Sequence, residues 1–255
     1  MLTELGGKGG SICQDALNGK LRCPLIVRPT SEDVITGHLW GTLSVLNPRW
    51  WLPDFLNQAL GTTQFRRQIY RDFKVELWQK QPHFPRHLIH WDEGQTEVDV
   101  LITWENPATT VFVEMKYGSP LSATTSHNNG QGKYPGDQLI RNARVGLHQS
   151  GWYEEDRLFQ KQQRQFFLIL LAPQTGNPLV QEYRDRNRLQ SAIPHSHRLK
   201  PLPESPFIGE FGYQHVIELL ERQNKWFSKA EQKLAAKLRE YLGFKLKQLE
   251  QRSSS

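Results

Sequence analysis

Apolar and polar positions alternate most clearly between Thr96 and Tyr117, TEVDVLITWENPATTVFVEMKY. Val98, Val100 and Ile102 fall on one side of that alternation, with Glu97, Asp99 and Leu101 on the other. After Glu105-Asn106-Pro107-Ala108 it resumes, with Val111, Val113, Met115 and Tyr117 on one face and Phe112, Glu114 and Lys116 on the other. A period of two is the mark of a strand, and Asn-Pro marks a turn, so the stretch predicts a hairpin of strands 97–104 and 109–117. A four-residue loop pairs Trp104 with Thr109, and counting back sets Asp99 beside Glu114. Like charges directly opposed on a sheet repel each other. Two carboxylates on an otherwise apolar hairpin therefore call for a cation.

Helical periods flank this hairpin. Thr30 and Asp33 fit a capping box that opens a helix running to about Leu46, where Asn47-Pro48 stops it. Ile35, Leu39, Leu43 and Leu46 share one face of that helix; Glu32 falls on the same face and Asp33 points away. Arg49–Gly61 predicts a second short helix, and 72–79 a half-exposed strand with Phe73, Val75 and Leu77 on one side. Gly118–Gly136 is a polar, glycine-rich loop. Residues 137–149 read as a helix with Leu139, Ile140, Ala143 and Leu147 buried and Arg141, Arg144 and His148 along another side. Residues 165–172, QFFLILLA, are a continuous apolar run of strand length, consistent with burial on both faces. Beyond Pro173 the chain turns basic and loop-like. Two helices follow, 213–224 and 226–250. The second sets Trp226, Ala230, Leu234 and Leu238 at four-residue steps beside Lys225, Lys229, Lys233 and Lys237; the lysines are either a solvated face or a surface that tracks phosphates.

Composition narrows the class. The chain has 255 residues, 37% of them hydrophobic and 23% charged, enough for one sizeable core with an appendage. Its two cysteines, Cys13 and Cys23, form no CxxC, which argues against a disulfide scaffold or zinc site. No run is long and apolar enough for a membrane span, and the first residues lack a signal-peptide core, so a cytoplasmic protein with no membrane partner is expected. A net charge of +6 suits a polyanionic partner. No GxxxxGK[ST] loop is present, which leaves a nucleotide-hydrolysing or phosphotransferase reading without support. His83, His87 and His90 sit in a proline-containing connection and read as surface histidines.

Asp99, a gap, and then Glu114-Met115-Lys116 resembles the signature of the PD-(D/E)XK, or restriction-endonuclease-like, nucleases, with Val98 where the motif's proline would stand. The order helix, strand, strand, strand, helix, strand over residues 28–173 is similar to that superfamily's common core. The resemblance implies an α/β fold: a restriction-endonuclease-like mixed central sheet flanked by helices, here with a C-terminal helical extension. It divides the chain into a lead-in of residues 1–27, a nuclease-like core of 28–175, and a basic loop with C-terminal helices over 176–255. It further implies a Mg²⁺ (or Mn²⁺) ion held by Asp99, Glu114, the Met115 carbonyl and an acid of the first helix, Glu32 or, failing it, Asp33. Lys116 would orient or activate the attacking water, unless it merely pairs with Glu97. Gln138, in the first turn of the helix after the motif, would reach toward the site. Lys133, Arg141, Arg144, Lys229 and Lys233 are the candidates to contact DNA. The implied activity is that of a metal-dependent deoxyribonuclease, an endonuclease in defence against foreign DNA or in recombination and repair, acting as a homodimer or within a larger defence or repair complex. The alternative is a DNA-binding or scaffolding subunit that keeps the fold without turnover.

Overall fold

A computed structural model describes residues 31–85, 88, 95–121, 137–154, 162–193, 195–202 and 207–253. Its centre is a five-stranded mixed sheet in the order β1-β2-β3-β4-β5. The strands are β1 (Arg71–Lys80), β2 (Glu97–Glu105), β3 (Thr109–Met115), β4 (Gln165–Ala172) and β5 (Ile208–Gly212). β1 with β2 and β2 with β3 pair antiparallel, whereas β3 with β4 and β4 with β5 pair parallel. The helices are α1 (Glu32–Leu43), α2 (Pro48–Leu60), α3 (Gln138–Gln149), α4 (Pro178–Tyr183), α5 (Arg186–Ala192), α6 (Tyr213–Gln223) and α7 (Lys229–Ser253). No described helix is long and apolar enough to cross a membrane.

The hairpin takes the register that the alternation predicts: Trp104 pairs with Thr109 and the ladder runs to Val100 opposite Val113. β2 extends one residue further than expected, to Glu105, which leaves Asn106–Ala108 as the loop. β2 alternates between buried and half-buried positions, but β3 is buried throughout because both of its faces are covered. On one face Trp104, Met115, Phe167 and Phe211 meet α1, α2 and the turn after it: Trp104 and Phe167 pack on Phe65, Phe211 on Phe55, and the Trp40 indole donates to the Met115 sulfur at 3.2 Å. The other face carries Phe112 and Phe166, edge to face at 5.2 Å, beneath α3. Asp99 and Glu114 belong to this second face by strand parity.

Several expectations are corrected. The cap of α1 is Ser31, whose hydroxyl accepts from Val34 N at 3.3 Å; Thr30 lies outside the described residues. α1 ends at Leu43, although Leu46 is still buried, since the chain turns there into Asn47, the cap of α2. The stretch after Pro173 is not all loop. Asn177 and Asp185 accept backbone N–H groups that open the short helices α4 and α5. β5 was not expected either: IGEFG has no clear alternation, and its place depends on the parallel ladder offered by β4. It also extends the sheet beyond residue 175. Gly209 in β5 lets α2 come close, because a Cβ there would lie 2.2 Å from the Ala59 carbonyl oxygen. In α7 the buried positions include Ala235, Leu238, Leu242 and Lys245, while Trp226 and Leu234 are exposed. Trp226 belongs to a separate 3₁₀ turn, and within α7 the buried row advances by three and four residues, so a strict four-residue step drifts off it.

Candidate functional site

Four charged side chains gather where β3 ends. The β2–β3 ladder stops at Val100 opposite Val113, so Met115 N–H has no backbone carbonyl across from it. Asp99 fills the gap: its Oδ2 accepts that N–H at 2.9 Å. Two residues later Glu32, from the first turn of α1, does the same for Tyr117 N through Oε2 at 3.0 Å. Glu114 is almost fully buried, with Oε1 2.8 Å from Lys116 Nζ and Oε2 2.8 Å from Asn142 Nδ2. Lys116 Nζ also lies 3.3 Å from Glu32 Oε1. The Tyr213 hydroxyl donates to the Lys116 carbonyl at 2.7 Å, fixing the backbone from the far side.

Electrostatics follow from this crowding. Burial first, then the neighbouring Glu114 charge, pushes the Asp99 carboxyl up to about 8. Burial also raises Glu114, a rise that the Lys116 charge and the Lys116 and Asn142 hydrogen bonds only partly offset. For Lys116 burial acts downward, but Glu114 and Glu32 outweigh it and hold the ammonium above the ordinary lysine value. Lys116 is therefore a fixed cation at neutral pH.

Glu32 reaches the cluster, and it does so from an unexpected direction. α1 packs on the face opposite Asp99 and Glu114, and Glu32 meets Lys116 around the end of β3. The α1 side chain that meets Lys116, Tyr117 and Ser119 is Glu32. Lys116 pairs with Glu114 and Glu32, whereas Glu97 stands opposite Lys80 on β1. Met115 contributes its amide to Asp99 and its sulfur to Trp40. Gln138 opens α3, but its Oε1 is buried without a hydrogen-bond partner among the described residues; the α3 side chain that touches the cluster is Asn142, one turn on. The sequence gives little sign of Asn142, because the wheel sets it beyond Leu139 at the edge of the apolar face.

The expected basic surface is only partly present. Arg144 is 2% exposed and lies over the Phe84 ring at 4.6 Å, so it is a core residue rather than a surface contact. The apolar arc of α3 is wider than the wheel suggested, taking in His148 as well. Arg141 donates to Thr96 Oγ1 and to the Gln95 carbonyl, tying α3 to the start of β2. Lys229 and Lys233 are exposed. Lys133, His87 and His90 lie outside the described residues, and His83 is exposed.

Beside Lys116 a cavity of about 820 Å³ opens at the carboxyl ends of β3 and β4, lined by Tyr117, Ser119, Leu170, Gln174 and Gln214 and by Leu249 of α7. The donor chemistry of Asp99 and Glu114 suits a hard divalent cation: adjoining carboxylate oxygens, each disfavoured as a bare anion by its surroundings. Glu32 is turned onto Lys116 and Tyr117, and among the described residues no group of three or more His, Cys, Asp or Glu side chains is arranged to hold a metal. Comparison with protein-family models, with curated proteins and with solved structures returned no match.

Proposed function

We propose that this protein is a metal-dependent nuclease that hydrolyses phosphodiester bonds of DNA, built on a PD-(D/E)XK-like core. The observation that carries the reading is the convergence of Asp99, Glu114 and Lys116 at one end of the sheet, beside a cavity large enough for a sugar-phosphate unit. Asp99 and Glu114 would hold Mg²⁺ (or Mn²⁺), and the bound ion supplies charge neutralisation and a more acidic water. Lys116, already protonated, donates hydrogen bonds and balances the phosphate's charge instead of accepting a proton. Asn142 keeps Glu114 in one orientation, and Glu32 holds the Lys116 ammonium from the other side.

A second reading is favoured by the same contacts: Asp99 and Glu32 satisfy backbone amides, and Lys116 is neutralised within the chain. On that reading the protein is a non-catalytic DNA-binding or scaffolding subunit. Incubating plasmid, linear duplex and single-stranded DNA with Mg²⁺ or Mn²⁺, and then with chelator, separates the two. Cleavage that needs the metal and is lost in Asp99→Ala and Glu114→Ala is the expected result. Metal-independent cleavage, or variants that cut at the wild-type rate, sink the nuclease assignment.

A further inference from the structure

A second charged cluster sits toward the other end of β2. There a cleft of about 720 Å³ opens between the start of α2 and residues 66–70. One of its lining residues, Tyr70, packs on Trp104 with ring centroids 5.3 Å apart. Trp104 is five residues along β2 from Asp99, about 17 Å at the strand rise of ~3.4 Å. Arg49, Arg66 and Arg67 line the cleft; all three are exposed, and none is in an ion pair with a described residue. Acids in the neighbourhood are engaged elsewhere. Asp54 accepts from Gln223 at 2.7 Å and from Arg222 at 3.5 Å, Asp72 pairs with Arg71 at 3.8 Å, and Glu231 accepts from the Asn47 and Ser228 amides.

Trp50 and Tyr70 line the cleft, and Trp226 lies beside it, against Trp50. Trp50 stacks on Trp226, with centroids 5.4 Å apart and planes at 14°. Arg49 lies over Trp50 at 5.1 Å and Lys225 over Trp226 at 5.2 Å. Trp226 nevertheless stays 53% exposed, and Ile69 on the rim 73% exposed. Three unneutralised guanidiniums repel one another, and an exposed tryptophan leaves apolar surface in water. One kind of partner relieves both at once: a chain with regularly spaced phosphates and uncovered flat apolar rings. A nucleic-acid single strand is such a chain, whereas a duplex hides its base faces in the stack. Guanidinium forks fit phosphate oxygens two at a time, which suits arginine here better than lysine.

We infer that this cleft binds a single strand of nucleic acid, with phosphates on Arg49, Arg66 and Arg67 and a base against Trp226. The inference needs neither metal nor cleavage, so it stands apart from the nuclease reading and can fail or succeed without it.

The test uses the full chain in chelator, with fluorescence anisotropy of a labelled 15-nucleotide single strand, the matching duplex, and an abasic strand of the same length. Tighter binding to the single strand than to the duplex is expected. The double variant Arg66→Glu/Arg67→Glu should bind at least about tenfold more weakly and flatten the log–log salt slope by about 1.4, two phosphates at ~0.7 each. Trp226→Ser should cost about tenfold on the normal strand and leave the abasic strand unaffected. Both arginines are exposed, so circular dichroism and the thermal midpoint should match wild type; Arg49→Gln repeats the test should the double variant unfold. Unchanged affinity in the arginine variants overturns the inference, as does tighter binding of duplex. Equal competition by polyglutamate also overturns it, by showing a docking site for an acidic protein surface.

Discussion

The two charged clusters, toward opposite ends of β2, solve the problem of charge in opposite ways. At the end of β3 every charged group has a partner inside the chain: Lys116 between Glu114 and Glu32, Glu114 also on Asn142, Asp99 on the Met115 amide. In the cleft by α2 the guanidiniums of Arg49, Arg66 and Arg67 face water with no carboxylate among the described residues answering them. The buried cluster is bound up with folding, so damage to it should be felt as lost stability whatever else it does. The exposed cluster contributes little to the fold, and its damage should be felt only when something binds.

The sharpest way to break that contrast is to remove one cation from each. Lys116→Met leaves Glu114 buried without its counter-charge and should cost about 3–5 kcal/mol in urea denaturation, while Arg67→Met should stay within about 0.5 kcal/mol. Equal midpoints for the two variants would erase the distinction. A smaller effect is expected at Asn142. Asn142→Ala removes a hydrogen bond to a buried carboxylate and should cost about 1.5–3 kcal/mol by the same assay, and Asn142→Asp, which places a fourth acid there, should be worse at neutral pH. A cost near zero would mean that Glu114 finds another donor.

The smallest expected effect is a pH dependence. The folded-state value for Asp99 is raised to about 8, so the folded protein keeps a proton there that the unfolded chain releases above about pH 4. Stability from this group is thus fully present at acid pH and lost as pH rises toward 8. In chelator, Asp99→Asn should therefore gain on wild type over that window. Water reaches a half-buried side chain, so we expect a gain on the order of 1 kcal/mol, read as a thermal-midpoint difference that widens from pH 5 to pH 8. A constant difference across the window would show that Asp99 is ionised throughout.

Much of the sheet was legible in the chain. The period-two alternation of Val98, Val100 and Ile102 against Asp99 and Leu101 settled both strands of the hairpin, and its register sets Asp99 level with Glu114, one step beyond the last paired residues. The unbroken apolar run 165–172 marked β4 to the residue. These are local signals, because a strand's faces follow from the backbone alone. Periodicity misled in α7, where strict four-residue steps from Trp226 overshoot the helical turn and walk off the buried face by Leu234.

What only the tertiary structure decided joins residues far apart in the chain. Glu32 reaches Lys116 around the end of β3, Asn142 rather than Gln138 touches Glu114, and Arg144 turns inward over Phe84. β5 becomes a strand because β4 offers it a ladder, and Trp226 lies beside the arginine cleft because α2 brings Trp50 against it. Alternation says which way a side chain points from its own strand or helix. It carries no information about what arrives from the other side, and there burial, charge and hydrogen-bond partners are set by packing between elements that the chain order leaves distant.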